Sequence, residues 1–167
     1  MTESGCLIRP LAPSDQIPVM DIFNYYVENG FAAYPERPFP YEFYERMLAG
    51  TQGYPTAALE SPQDGVIGFG FIKPYHPMPA FRQTAEISYF IRAEYTRLGL
   101  GNQMLNYLIA EGARIGITNI LAQICSLNEP SLKFHQTHGF QECGRFLGVG
   151  QKKQTRFDVV WMQRRIA

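Results

Sequence analysis

The alternation of apolar and polar positions divides the chain into short strands and amphipathic helices. Cys6 to Arg9 reads as a first short strand. From Ser14 to Glu28, Val19, Met20, Phe23, Tyr26 and Val27 recur at helical offsets and form one apolar stripe, with Ser14 or Asp15 as N-cap. Residues 30–40 set Pro35, Pro38 and Pro40 among Phe31, Tyr34 and Phe39, which predicts a rigid aromatic loop over a pocket and not a long helix. Tyr41 to Ala49 predicts a second helix, ended by Gly50. Thr56 to Leu59 and Val66 to Ile72 flank the turn-forming SPQDG and read as a hairpin. Thr84 to Ile91, TAEISYFI, is too apolar for an exposed edge and predicts a central strand. Gly99 to Arg114 puts Met104, Leu105, Leu108 and Ile109 on one face of a long helix that opens in a glycine-rich turn. Asn119 to Cys125 predicts a buried strand, and Asn128, Pro130 and Gly139 bracket a short helix. Strands around 140–147 and 155–163 finish the chain. Hairpins combined with a strand-helix-strand crossover predict a mixed α/β fold, its sheet covered by helices on both faces.

Composition narrows the function. With 167 residues, 46% hydrophobic and 18% charged, the chain has the size and balance of one globular domain spanning 1–167. Lys plus Arg equals Asp plus Glu, so no global field draws in nucleic acid, and phosphate recognition must be local. Cys6, Cys125 and Cys143 are odd in number and widely spaced, which fits a reducing cytoplasm. Neither a leader pattern nor an apolar run near the roughly 20 residues of a membrane helix is expected from the residues. The scattered His76, His135 and His138 offer no metal site.

The sharpest local signal is Thr96-Arg97-Leu98-Gly99-Leu100-Gly101-Asn102, between a buried strand and a long helix. Gly99 and Gly101 let the main chain approach a ligand closely, the helix start adds unpaired donors, and Arg97 supplies a countercharge. These features suit a pyrophosphate; the plain alternative is an ordinary strand-to-helix turn. The stretch is neither a Walker loop nor a GxGxxG dinucleotide turn.

Together with IRP near the start, DIFNYYVENGFAAY, AEISYFI, Asn128 with Ser131 and His135, HGF and DVVWMQR, this turn resembles motif A of the GNAT N-acetyltransferase family. The resemblance spans nearly the whole chain and is nearest to the phosphinothricin N-acetyltransferase-like branch. Thr96 departs from it, standing where Arg or Gln is usual. The resemblance implies a mixed, mostly antiparallel sheet of about seven strands, acetyl-CoA as cosubstrate, and a homodimer. By position, it implies that Tyr89, Phe90 and Ile91 run beside the pantetheine arm. It further implies that Arg97, Leu98, Gly99, Leu100, Gly101 and Asn102 hold the pyrophosphate, and that Asn128, with Ser131, contacts the cofactor. A helix N-cap is the plain reading of Asn128.

Thioesters are activated acyl donors, so the amine is the difficulty. A lysine-like ammonium of pKa about 10.4 needs roughly 4 to 5 kcal/mol to free its lone pair at pH 7. Glu86, a lone carboxylate in an apolar strand, is the candidate base if it is buried, and an ordinary wet-face residue if it is not. By resemblance it matches the branch's proposed base. His135, at the position the branch fills with histidine, can move a proton to or from the amine or the sulfur; packing is its plain role. The acceptor pocket implied by the resemblance is formed by the first helix and its loop, the loop before the central strand and the last strands. That draws in Tyr25, Phe31, Tyr34, Tyr75, His76 and Met78. The loop Tyr75-His76-Pro77-Met78-Pro79 lacks the basic residues the branch carries there, so an amino-acid-like amine with a less charged or more apolar side chain is expected. Rival readings are a non-catalytic acyl-CoA-binding module and a peptide or protein N-acetyltransferase.

Overall fold

A computed structural model of the chain describes residues 5–166. Residues 1–4 and 167, which include the start of the segment read for a leader, lie outside it. The strands are β1 (Leu7–Arg9), β2 (Thr56–Ser61), β3 (Gly65–Pro74), β4 (Thr84–Ile91), β5 (Asn119–Cys125), β6 (Gln141–Lys152) and β7 (Thr155–Arg165). The α-helices are α1 (Gln16–Glu28), α2 (Phe43–Gly50), α3 (Leu100–Arg114) and α4 (Glu129–Thr137). Among the described residues the strands form one seven-stranded sheet in the order β1-β2-β3-β4-β5-β7-β6. Every neighbouring pair is antiparallel except β4–β5.

The two faces carry separate cores. On one, Leu100, Met104, Leu105 and Leu108 of α3 pack on Ile72, Ala85, Ile87, Ile120, Ala122, Val160 and Met162. On the other, Val19, Met20 and Ile22 of α1 meet Tyr44 of α2 and Phe69, with Phe90 against them. β4 serves both: Ala85, Ile87 and Ile91 belong to the α3 core and Phe90 to the α1 core, the alternation a pleated strand imposes. Helix α1 starts after a 3-10 turn at Pro13–Asp15. Asp15 sits at its N-cap, but the carboxylate takes the Arg9 guanidinium at 2.8 and 2.9 Å and the Ala12 N–H at 2.8 Å.

β2, β3 and β7 run two or three residues beyond their sequence pattern, and β6 departs most. β6 runs to Lys152, beyond the expected end at 147, because Gly148 and Gly150 sit inside a bulged ladder with β7 and do not break it. No helix among the described residues is long and apolar enough to cross a membrane.

Candidate active site

The parallel pairing of β4 and β5 covers only Thr84, Ala85 and Glu86 against Asn119, Ile120 and Leu121. Beyond Glu86 the two strands part, although β4 stays paired with β3 as far as Ile91 and β5 with β7 as far as Cys125. Arg92 N donates to Ile67 O and Tyr75 N to Thr84 O, which fixes which main-chain groups of β4 face β3. Because these alternate, the amides and carbonyls of Ile87, Tyr89 and Ile91 face the open seam, and those of Phe90 join the β3 ladder. Ile91 O is held by the Tyr26 hydroxyl at 2.5 Å. Apart from that carbonyl, the seam is a strand edge left unpaired by β5 in the middle of a sheet, where an extended ligand can add as a further strand.

At its far end lies the turn. Thr96 Oγ1 donates to Ala93 O at 2.7 Å and helps close the preceding 3-10 turn. Arg97 has φ +64° and Gly99 φ +77°. Left-handed backbone at a non-glycine residue costs about 1–2 kcal/mol, and such strain gathers at ligand-binding sites. Within α3 the first main-chain bond is Gln103 N to Gly99 O, and the amides of Arg97, Leu98, Gly99, Leu100, Gly101 and Asn102 find no acceptor among the described residues. A Cβ on Gly99 would meet nothing within 4 Å, so glycine serves the backbone conformation there; one on Gly101 would reach the Phe134 ring of α4 at 3.4 Å. Outward-turned amides at a helix start, with Arg97 beside them, fit a diphosphate.

Helix α4 borders the same seam. Asn128 Oδ1 accepts from Ser131 N at 3.4 Å as the helix cap, which leaves its side-chain NH₂ for a ligand. His135 is buried, with Nδ1 2.7 Å from Ser131 O and Nε2 2.8 Å from the Tyr89 hydroxyl. A carbonyl can only accept, so Nδ1 carries the proton and Nε2 accepts from Tyr89. Burial holds the imidazole below its ordinary pKa against the opposing Ser131 bond, and burial pushes the Tyr89 phenol well up. Both ring nitrogens are thus engaged, a neutral histidine packed between Phe134 and Phe140.

Glu86 stands where the seam begins, on the face opposite α3. Its side chain is 19% exposed and its carboxylate lies 3.8 Å from Lys73 Nζ. Register places Lys73, Glu86, Leu121 and Gln163 in one row across β3, β4, β5 and β7. Two loops meet this face. From the α1–α2 loop, Tyr34 stacks on Phe157 at 5.6 Å and 6° while Phe31 abuts the same ring at 6.1 Å. Burial, with the Cys125 thiol and the Glu86 carboxylate adding to it, pushes the Tyr34 phenol up to about 12. From the loop before β4, Tyr75 packs edge-on against Trp161 at 6.2 Å, and Phe81 packs against Tyr75 and His76. Met78 is exposed on that loop, its amide donating to His76 Nδ1.

Phe157 thus takes Phe31 and Tyr34 of one loop and Trp161 takes Tyr75 of the other, a role their sequence gives only as same-face spacing along β7. Phe157 fits because Gly150 of β6 lies under it: a Cβ there would sit 2.1 Å from the ring. Sequence reasoning also missed Lys152. This fully buried lysine donates from Nζ to Gly30 O at 2.9 Å and Ala33 O at 2.7 Å, and burial lowers its pKa. Next to it, Lys153 N donates to Glu36 Oε1 at 2.8 Å, and Lys153 Nζ to Glu28 O. The β6–β7 hairpin therefore clamps the loop that carries Phe31 and Tyr34. Tyr25 is not part of this group; it lines a cavity of about 550 Å³ with Asp21, Asp64, Arg92 and Glu94.

A sheet split along one seam, with free amides at a helix mouth on one side and a carboxylate at the seam's root, has the shape and donors to suit an extended, phosphate-bearing ligand. Residues 8–161 match the acetyltransferase (GNAT) domain family, and the chain belongs to it. It is by that membership an acetyl-CoA-dependent N-acetyltransferase. The L-methionine sulfoximine/L-methionine sulfone acetyltransferase of Pseudomonas aeruginosa is 30% identical over 158 residues, covering 93% of this chain and 92% of the relative. A phosphinothricin acetyltransferase from Sinorhizobium meliloti, solved in complex with AcCoA, superposes with a TM-score of 0.90 at 26% identity, over 96% of this chain and 88% of that one. A ribosomal-protein-alanine N-acetyltransferase from Brucella melitensis superposes with a TM-score of 0.89 at 29% identity, over 96% and 99%.

Proposed function

We propose that the protein acetylates the primary amine of a small amino-acid-like molecule of the phosphinothricin or methionine sulfoximine type, acting as one domain and as a cytoplasmic homodimer. The observation that carries this reading is the seam itself, with Glu86 at its root on the sheet face where two aromatic loops meet. The amides of residues 97–102 hold the diphosphate. The open edge of β4 at Tyr89 and Ile91 takes the pantetheine arm, with Phe90 beside it and Asn128 and Ser131 at its α4 side. Acetyl-CoA supplies the activated acyl group: the carbon–nitrogen bond forms as the carbon–sulfur bond breaks.

Glu86 takes a proton from the substrate ammonium, directly or through water. The amine loses a second proton as it is acylated and the sulfur takes one up, so each turnover releases one net proton from an ammonium substrate. His135 acts through the Tyr89 hydroxyl that it orients, since neither of its nitrogens is free. Phe31, Tyr34, Tyr75, His76 and Met78, with Phe157 and Trp161, receive the acceptor side chain. Their aromatic character favours an apolar one. Exposed Phe146, Leu147 and Val149 on edge strand β6 support self-association.

Thiol release from acetyl-CoA, measured over amino acids, methionine sulfoximine, phosphinothricin, polyamines and peptides, tests the reading. Turnover with the amino-acid-like amines is expected. Turnover only with peptides would replace it with the protein-acetylating reading that the Brucella neighbour's name favours, and binding without turnover on any amine would make the chain an acyl-CoA-binding module.

A further inference from the structure

Lys73 stands across the β3–β4 ladder from Glu86. Nearly half of its side chain is open to solvent, and its ammonium lies 3.8 Å from the carboxylate. Pro74 follows it, and a residue before proline is held extended, so Lys73 keeps its register although the strand ends there. At that separation the ammonium is outside hydrogen-bond distance of Glu86. All three of its donors are left for a ligand. As a surface ion pair the contact contributes little to stability.

A cation and a carboxylate side by side on one sheet face, both reachable from solvent, complement a zwitterion. In an α-amino acid one carbon separates the amine from the carboxylate, so a single molecule can meet both side chains at once. Several other cations are committed elsewhere, while Arg37 of the α1–α2 loop is exposed. Lys152 binds two carbonyls, Arg145 pairs with Glu142 and Asp158, and Arg92 pairs with Glu94. Arg165 shares the face but sits on β7, two strands from β4. Tyr75 to Pro79 bring no Lys or Arg, and Arg82 is exposed where that loop ends.

We propose that Lys73 anchors the carboxylate of an α-amino acid whose amine is set on Glu86, which makes Lys73 a specificity-determining residue for free amino acids. The inference rests on the amine-acetylating reading above. It predicts discrimination by the acceptor's negative charge: amino acids are used ahead of their amides and their decarboxylated amines.

The test compares kcat/KM for L-methionine, L-methioninamide and 3-(methylthio)propylamine in the native protein, Lys73→Met and Lys73→Arg. Melting temperature and acetyl-CoA affinity control for folding. The native protein should favour the acid over the amide by about 10- to 100-fold, the range of one charge-assisted hydrogen bond. Lys73→Met should bring that ratio near one, and Lys73→Arg should keep most of it. The ratio isolates the anchor, because loss of the cation beside Glu86 affects acid and amide alike. Equal use of acid and amide by the native protein, or an unchanged ratio in Lys73→Met, overturns the anchor while acetyl transfer stands. Failure to acetylate any of these or of the wider amine panel overturns acetyl transfer, and the anchor with it.

Discussion

At the scale of single residues the two proton-transfer candidates differ in their surroundings. Glu86 is partly open and faces Lys73, whereas His135 is sealed and bonded at both nitrogens. Glu86→Gln keeps the shape and removes the base. Turnover should fall by about 10²- to 10⁴-fold with acetyl-CoA affinity held, as steady-state kinetics beside calorimetric titration would read; a rate indifferent to the change removes Glu86 from the mechanism. His135 bears on stability. Its folded pKa lies below the unfolded value of about 6.5, so the unfolded chain binds more protons below that pH. Stability contributed by the neutral imidazole is therefore complete above pH 6.5 or so and declines as pH falls through the folded value. Melting curves from pH 7.5 to pH 5 should show a steeper acid loss for the native protein than for His135→Asn. The candidacy of Glu86 was legible because it is a lone carboxylate in an apolar strand, and that of His135 through the family resemblance. The Tyr89–His135 bond was not, since β4 and α4 lie far apart in the chain and only the fold joins them.

At the scale of elements, the local periodicities predict β4, β5, α3 and α4 almost to the residue, because apolar alternation and the cap and glycine signals agree there. β6 departs most: the pattern ends it near 147, yet it runs on through Gly148 and Gly150, which accommodate a bulge and the ring of Phe157. The clamp by Lys152 is equally hidden, because a lysine in sequence reads as solvated and only the return of the hairpin over residues 30–36 buries it. Lys152→Met leaves two carbonyls without their donor, and such losses run to about 1–3 kcal/mol per buried group, offset in part by relief of the buried charge. The expected outcome is a modest fall in melting temperature together with a rise in KM for the amine. A raised amine KM without any loss of acetyl-CoA affinity would mark the clamp as a support of the acceptor loop; a fall in both affinities would mark it as a support of the whole sheet.

For the whole molecule the decisive feature is where the sheet divides. Composition and pattern predict a mixed sheet with helices on both faces, and that is what forms. They carry no sign that β4 and β5 part after Glu86, since both strands are continuous apolar runs and pairing between them is set by β3, β7 and the helices. The division puts a strand edge, an amide-lined helix mouth and a carboxylate along one line. Gly101→Val tests the mouth: the branched side chain presses toward Phe134 and the diphosphate, so acetyl-CoA affinity should fall by at least about tenfold, equivalent to 1.4 kcal/mol, in a protein that still folds by circular dichroism. The arrangement as a whole is read most directly by following backbone amide resonances of the native protein as acetyl-CoA is added. The account predicts that the largest shifts fall on Leu98 to Asn102 and on Ile87, Tyr89 and Ile91; shifts centred away from that turn and from the open edge of β4 would contradict it.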